Sequence, residues 1–190
     1  MKILLVFCHP RRTSFTGAVA DAFAEGAAAG GHEIEFADLY AEDFDPVLRE
    51  ADEPDWNNTA KRYSDEVHAE MARVDRADAI VCVFPVWWWS VPAMLKGWID
   101  RVWNLGWAYG PASLPHRYGL MIATAAASED AFAKRGYDQA IEAQLNIGVM
   151  NYCGIESASI ELFHETTGDD DTRTGLLKRA RFLGLNFPTH

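Results

Sequence analysis

Short strand-like runs alternate with longer helical stretches from one end of the chain to the other. That alternation restricts the fold more than any single motif. Lys2–Cys8 (KILLVFC) and Ala79–Phe84 (AIVCVF) are continuous apolar runs. A strand without polar alternation is buried on both faces, as parallel strands are when helices cover them on either side. Further strands are predicted at Glu33–Leu39, where Ile34 and Phe36 alternate with acids, at Tyr118–Thr124 and at Ser157–Phe163. Helical stretches separate them. Ser14 to about Ala29 repeats Phe15, Val19 and Phe23 every four positions and closes on Gly30-Gly31. Thr59–Arg76 follows, with Thr59 as cap. Val91–Trp103 carries an apolar stripe, with Ser90 as cap and Pro92 in the first turn. Ser128–Asn146 has Glu129 and Asp130 at its positive end, and Thr172–Leu185 closes the chain. Tyr40–Asn58 is polar, acidic and interrupted by two prolines, so it reads as loop.

This order predicts an α/β fold with a five-stranded parallel sheet, strand order 2-1-3-4-5, and helices on both faces: the flavodoxin-like three-layer arrangement. The 190 residues suit a single domain over 1–190. Ligands of such sheets bind beyond the carboxyl ends of the strands at the switch between strands 1 and 3. Three segments are thereby selected: His9–Gly17, Pro85–Ser90 and Thr124–Ser128.

Composition removes several classes of function. The net charge is −11, from 17 basic and 28 acidic residues, which disfavours nucleic acid as a partner. No apolar run is long enough and free enough of turn residues to span a bilayer. The first apolar run ends at His9-Pro10 without a signal-peptide pattern, so a cytoplasmic setting without membrane insertion is expected. Cys8, Cys82 and Cys153 lie far apart in or beside apolar runs and read as buried thiols. No metal site is expected. Asp169-Asp170-Asp171 with His164 and Glu165 reads as a solvated charge run at a helix start.

The selected segments carry chemistry of one kind. After strand 1, Thr13, Ser14 and Thr16 place hydroxyls where a helix begins, a setting that suits a phosphate; the plainer reading is N-capping by Ser14. There is no GxGxxG and no Walker sequence. After strand 3, Pro85-Val86-Trp87-Trp88-Trp89-Ser90 puts three successive Trp at a sheet end, where planar side chains and backbone amides suit a flat aromatic ligand; an aromatic plug or an oligomer contact is the alternative. After strand 4, Thr124-Ala125-Ala126-Ala127-Ser128 permits close approach of a ligand to the backbone.

These residues carry a resemblance. His9-Pro10 with Ser14-Phe15, then Asp38-Leu39-Tyr40 and Phe44-Asp45-Pro46, resemble the start of the NAD(P)H:quinone oxidoreductase family, the DT-diaphorase-like flavoproteins of flavodoxin-like fold. The stretch FPVWWWSVPAMLKGWIDRVWNLGWAYG, from Phe84 to Gly110, is similar to that family's FP-x-x-W-aromatic-x-x-PA-x-LKGW-x-(D/E)RV segment followed by (F/W)AY. The similarity extends over roughly residues 1–165. It implies that His9, Phe15 and Thr16 hold the phosphate region of a flavin, that Val86, Trp87, Trp88 and Trp89 line its ring, and that Thr124, Ala125, Ala126 and Ala127 replace a Thr-Thr-Gly-Gly loop. Tyr109 matches a tyrosine bordering the substrate pocket. Relatives with a catalytic histidine carry it near residues 134–137, where this chain has Lys134-Arg135-Gly136-Tyr137; Tyr137 is the substitute expected there.

The resemblance implies two-electron ping-pong reduction of quinones or similar flat acceptors by NADPH or NADH. Its cofactor would be FAD, with FMN as runner-up, because Asp171-Thr172-Arg173 is similar to the context of an arginine that holds the adenine half. Two other readings stay open: a non-enzymatic flavin electron carrier, and an ancillary regulatory subunit of a potassium-efflux system. A homodimer is also expected. Met94, Leu95, Trp98 and Ile99 suffice to pack helix Val91–Trp103 on the sheet, which leaves Trp103, Trp107 and Trp89 near the surface for a partner; burial under the Tyr40–Asn58 loop is the competing reading.

Overall fold

The computed structural model describes residues 1–188. Its sheet holds β1 (Lys2–Phe7), β2 (Glu33–Asp38), β3 (Ala79–Pro85), β4 (Tyr118–Thr124) and β5 (Ser157–Phe163), in the order β2-β1-β3-β4-β5. Every pairing is parallel. Helices α1 (Phe15–Ala29), α2 (Asp65–Asp75), α3 (Ala93–Val102), α4 (Glu129–Ala133), α5 (Tyr137–Ile141) and α6 (Asp170–Leu185) complete it, with a π-helical segment at Glu142–Asn151.

The apolar strands are explained by two cores, one on each side. Ile3, Leu5, Phe7, Val81 and Val83 face α1 and α6, while Leu4, Val6, Ile80, Cys82 and Phe84 face α2 and α3. Neighbouring residues of one strand are therefore both buried, as continuous apolar runs require. A Cβ on Gly26 would run into the Arg181 carbonyl, and one on Gly184 into that of Phe23; only glycine lets α1 and α6 come so close. Val83 of β3 lies opposite Phe7, and Pro85 lies opposite Thr124. The ends of β1, β3 and β4 are thus brought to one edge.

Several predicted boundaries move. The helix expected from Thr59 begins at Asp65, because Ser64 accepts the Val67 amide and makes the cap. Helix α3 begins at Ala93 with Pro92 in the cap position and no side-chain cap; Ser90 belongs to a turn instead. The single helix expected over Ser128–Asn146 is interrupted by Gly136 at φ 68° and continues to Asn151 as a π-helix. Helix α6 starts two residues before Thr172, capped by the Asp169 carboxylate. Trp103 is buried and meets Trp98 edge-on at 6.0 Å, contrary to its expected surface position.

Candidate functional site

At the end of β3 the Val86 amide donates to the Thr124 carbonyl at 2.8 Å, and the chain then folds into a four-residue turn. Trp87 donates to the Ser90 carbonyl at 3.1 Å and Ser90 donates back at 3.2 Å. Trp88 and Trp89, at the centre, have φ of 52° and 61°. Two left-handed central residues define a type I′ turn, a position that favours Asn and Gly. Placing bulky L-residues there costs roughly 1–2 kcal/mol each. Strain of this kind persists where the surroundings over-determine it and concentrates at ligand sites.

The surroundings here are aromatic. Trp89 stacks on Tyr137 at 3.7 Å with the rings 16° apart, and meets Phe132 edge-on at 5.4 Å. The Trp87 ring lies 5.8 Å from His9. Ser90 Oγ donates to Gln144 Oε1 at 3.0 Å, tying the turn to the π-helical segment. Trp88 is 94% exposed. Together with Val86, Phe132 and the alanines 125–127, Trp88 and Trp89 border a cleft of about 300 Å³. Its floor is held from behind: Ala125 donates to the Phe163 carbonyl at 2.8 Å, and the carbonyls of Ala125 and Ala127 accept from Thr166 and Glu165. The amides of Trp88, Trp89, Ala126 and Ala127 have no partner among the described residues.

Beside the cleft stands the N-terminus of α1. Ser14 Oγ accepts the Gly17 amide at 3.2 Å and so caps the helix, an acceptor role that leaves its O–H available as a donor. Thr16 Oγ1 lies 2.8 Å from Thr124 Oγ1 and is buried, so this hydroxyl ties α1 to β4. What the helix end presents is the amides of Phe15 and Thr16, which have no partner among the described residues. The Arg173 guanidinium sits 4.8 Å from the centre of the Phe15 ring, which places the first turn of α6 at this helix end. Burial holds the His9 imidazole below its ordinary value. Its Nδ1 accepts the Arg11 amide at 3.0 Å, an arrangement that leaves the proton on Nε2.

The structure thus brings His9, Phe15, Thr16, Val86, Trp87, Trp88, Trp89, Thr124, Ala125–Ala127 and Tyr137 to one edge, with Arg173 at its side and Pro85 closing β3. Tyr109 does not line the cleft. It joins exposed Trp56 at 6.1 Å and exposed Tyr152 at 5.8 Å in a second aromatic group. Burial, then Tyr152 and Cys153, push its hydroxyl up. The sequence reading missed Phe132, the buried aromatic that contacts Trp89, Tyr137 and His164. Its signal was its position, four residues past the Ser128 cap. Among the described residues no metal-ligating cluster occurs. The three cysteines are free and buried; burial pushes the Cys8 thiol up to about 12, which makes it a poor nucleophile.

Residues 1–182 match the family model described as flavodoxin-like fold. The chain belongs to this family. It is 41% identical over 166 residues to an uncharacterized NAD(P)H oxidoreductase, YcaK, of Escherichia coli (strain K12), covering 87% of this chain and 84% of that one. It is 28% identical to NAD(P)H dehydrogenase [quinone] 1 of Cavia porcellus over 82% of this chain and 65% of the relative. Among solved structures, an NAD(P)H:quinone oxidoreductase from Methanothermobacter marburgensis superposes with a TM-score of 0.93 at 30% identity, covering 100% of this chain and 97% of the other. No helix among the described residues is long and apolar enough to cross a membrane.

Proposed function

We propose that the protein is a flavin-dependent NAD(P)H oxidoreductase that reduces quinones or similar flat acceptors: NAD(P)H, a proton and a quinone give NAD(P)⁺ and hydroquinone. The observation that carries this reading is the cleft at the β1–β3–β4 edge, walled by flat aromatic rings and bordered by backbone amides without partners. A flavin bound there supplies the two-electron transfer between donor and acceptor. Trp89 and Phe132 would hold the planar ring, and the amides of Trp88, Trp89, Ala126 and Ala127, without partners among the described residues, would supply hydrogen bonds to negative charge on it. The small side chains of Ala125–Ala127 let that ring approach the backbone. The amides of Phe15 and Thr16 would hold its phosphate end, beside His9. Arg173, whose guanidinium lies over the Phe15 ring at the N-terminus of α1, is the residue that would hold the adenine half, and on it rests the choice of FAD over FMN. Tyr137, stacked on Trp89 beside the cleft, would be the proton donor on this chain. The buried thiols suit a reducing, cytoplasmic setting.

The partner of choice is a second copy. Trp56 and Tyr152 are 72% and 64% exposed around Tyr109, an aromatic surface of the kind that interfaces bury. A twofold dimer lets Tyr109 border the partner's cleft, and light scattering that gave a fully active species of about the 21.2 kDa chain mass would rule this out.

One experiment decides the main reading. The purified protein is expected to be yellow, to release FAD as identified by mass, and to bleach with NAD(P)H in anaerobic stopped flow without an accumulating radical. A stable flavin radical as the main reduced species would instead establish the electron-carrier alternative.

A further inference from the structure

We infer that Phe132 is the residue that sets the inner limit of the acceptor site: its ring is the partition between the apolar cleft and a second, polar chamber, and it confines acceptors to the apolar side. The inference rests on the reading of the cleft as the flavin and acceptor site. The cleft, of about 300 Å³, is bordered by aliphatic and aromatic side chains and by no charged one. The chamber, of about 320 Å³, is bordered by Glu129, Asp138, His164 and the Arg179–Glu161 ion pair. Among the described residues, Phe132 alone borders both. Its ring lies 5.4 Å from Trp89 on the cleft side and 4.7 Å from His164 on the chamber side, edge-on to each. Tyr137, also edge-on, stands 6.1 Å away.

The ring is held in place from the cleft floor. Ser128, next after the alanines, caps α4 by accepting the Ala131 amide at 3.3 Å, and its carbonyl accepts the Phe132 amide at 3.3 Å. Phe132 is 1% exposed, yet it is unlike a side chain that fills a core. Apolar neighbours surround a core ring; this one has aromatic rings on one side and polar groups on the other. His164 Nδ1 and Asp138 Oδ1 are buried and have no partner among the described residues, where buried polar atoms ordinarily have one. With Phe132 in place, a polar substituent on an acceptor has no route through the cleft to these groups and stays in solvent. With the ring shortened, cleft and chamber join into a space of roughly twice the cleft's volume. A tail that ends in a hydrogen-bonding group then reaches a polar lining, and a tail of the same length that ends in a methyl group gains nothing there.

The test uses two 1,4-naphthoquinones whose alkyl tails have one length and end in hydroxyl or in methyl. Flavin-loaded protein is reduced anaerobically with NAD(P)H, its reoxidation by each quinone is followed by stopped flow, and each rate is divided by that of free reduced flavin. The readout is the hydroxyl-to-methyl ratio within one variant, so a change in flavin loading or in intrinsic rate cancels. In the native protein the ratio is expected at or below one. In Phe132→Ala it should rise about fivefold, the size of one net hydrogen bond. Phe132→Leu, which keeps an apolar side chain in the core should the alanine variant fail to hold flavin, should move the ratio the same way by less. Adding His164→Leu to Phe132→Ala removes a polar group from the chamber and should bring the ratio down again. An equilibrium readout accompanies these: naphthalenes with the same two tails, titrated calorimetrically into each protein as purified, should follow the same order. A ratio that no Phe132 variant changes overturns the partition and leaves Phe132 as core filling. A ratio well above one in the native protein also overturns it, because the tail then finds a polar group without passing Phe132. Failure of both quinones to reoxidise the native protein overturns the proposed function instead, and the calorimetric ratio still decides the partition.

Discussion

The connection from β2 to α2 runs from Leu39 to Ser64, is long and acidic, and is pinned down; the connection from β3 to α3 runs from Val86 to Pro92, is short and aromatic, and stands in solvent. In the first, Asp52 is 2% exposed and accepts from Arg101 at 2.8 Å, from the Ser64 amide at 2.8 Å and from Ser64 Oγ at 3.0 Å. Arg101, also buried, bonds the Asp45 carbonyl, pairs with Glu66 at 2.6 Å and lies over the Phe44 ring at 5.0 Å. Gly97 lets the Pro46 carbonyl press against α3, where any side chain would collide. In the second connection the large side chains pack incompletely and the backbone is left-handed at Trp88 and Trp89. The contrast teaches that neither length nor polarity distinguishes a working loop. A charge satisfied on every side makes the polar segment part of the framework. Aromatic area left bare on a strained turn is stabilised by no such partner within the chain.

The largest expected effect tests the framework half. Arg101→Ala leaves the Asp52 carboxylate buried without its ion partner, and removing one member of a buried pair costs about 3–5 kcal/mol. Urea unfolding should register that loss. A change below about 1 kcal/mol, the range of a surface pair, would place this connection in the same loose class as the tryptophan turn.

A smaller effect of opposite sign tests the other half. Trp88→Gly relieves roughly 1–2 kcal/mol of left-handed strain and adds back about 0.5–1 kcal/mol of glycine entropy. Since Trp88 is 94% exposed, little packing is lost. The flavin-free protein should therefore gain up to about 1.5 kcal/mol in thermal or urea unfolding while flavin affinity falls. Destabilisation of the flavin-free protein would show that the turn is held together by Trp88 itself.

The subtlest effect is a slope. Burial pushes the Asp52 carboxyl up, but Arg101 and Ser64 outweigh it and hold it below its ordinary value of 3.8. A depressed folded value means that its stabilisation is complete above the ordinary value and is lost as pH falls through the lowered one. Stability measured below pH 3.8 should thus drop more steeply in the native protein than in Asp52→Asn. Parallel slopes would remove Asp52 from the acid response.

Trp103, expected at the surface as surplus to the α3 stripe, is instead buried against Trp98 and is unavailable to a partner chain. Trp107 is half-buried and donates its Nε1–H to Asp75 at 3.0 Å. The Tyr40–Asn58 segment packs on α3 through Pro46 against Gly97 and Asp52 against Arg101, and not on Trp89, which stays 41% exposed. Bare aromatic area survives elsewhere, at Trp56, Trp88 and Tyr152.

Much of the architecture was legible because its causes are local or periodic. Two continuous apolar runs meant strands buried on both faces, and strand-helix alternation meant parallel pairing through right-handed crossovers. Those two facts led to the order β2-β1-β3-β4-β5 and to the edge formed by the ends of β1, β3 and β4. The exposure of the tryptophan turn was likewise visible, since three successive Trp cannot share one core. Other features depend on partners far away in the chain. The left-handed turn shows only when Trp87 and Ser90 close on each other, and Phe132 becomes a wall only when α4 folds over Trp89. Asp52 is an ordinary loop acid until Arg101, 49 residues on, is packed against it. Periodicity and composition report what one segment prefers; they carry no record of which distant group satisfies a buried charge, an orphan amide or a strained φ, because that free energy exists only after the chain has folded.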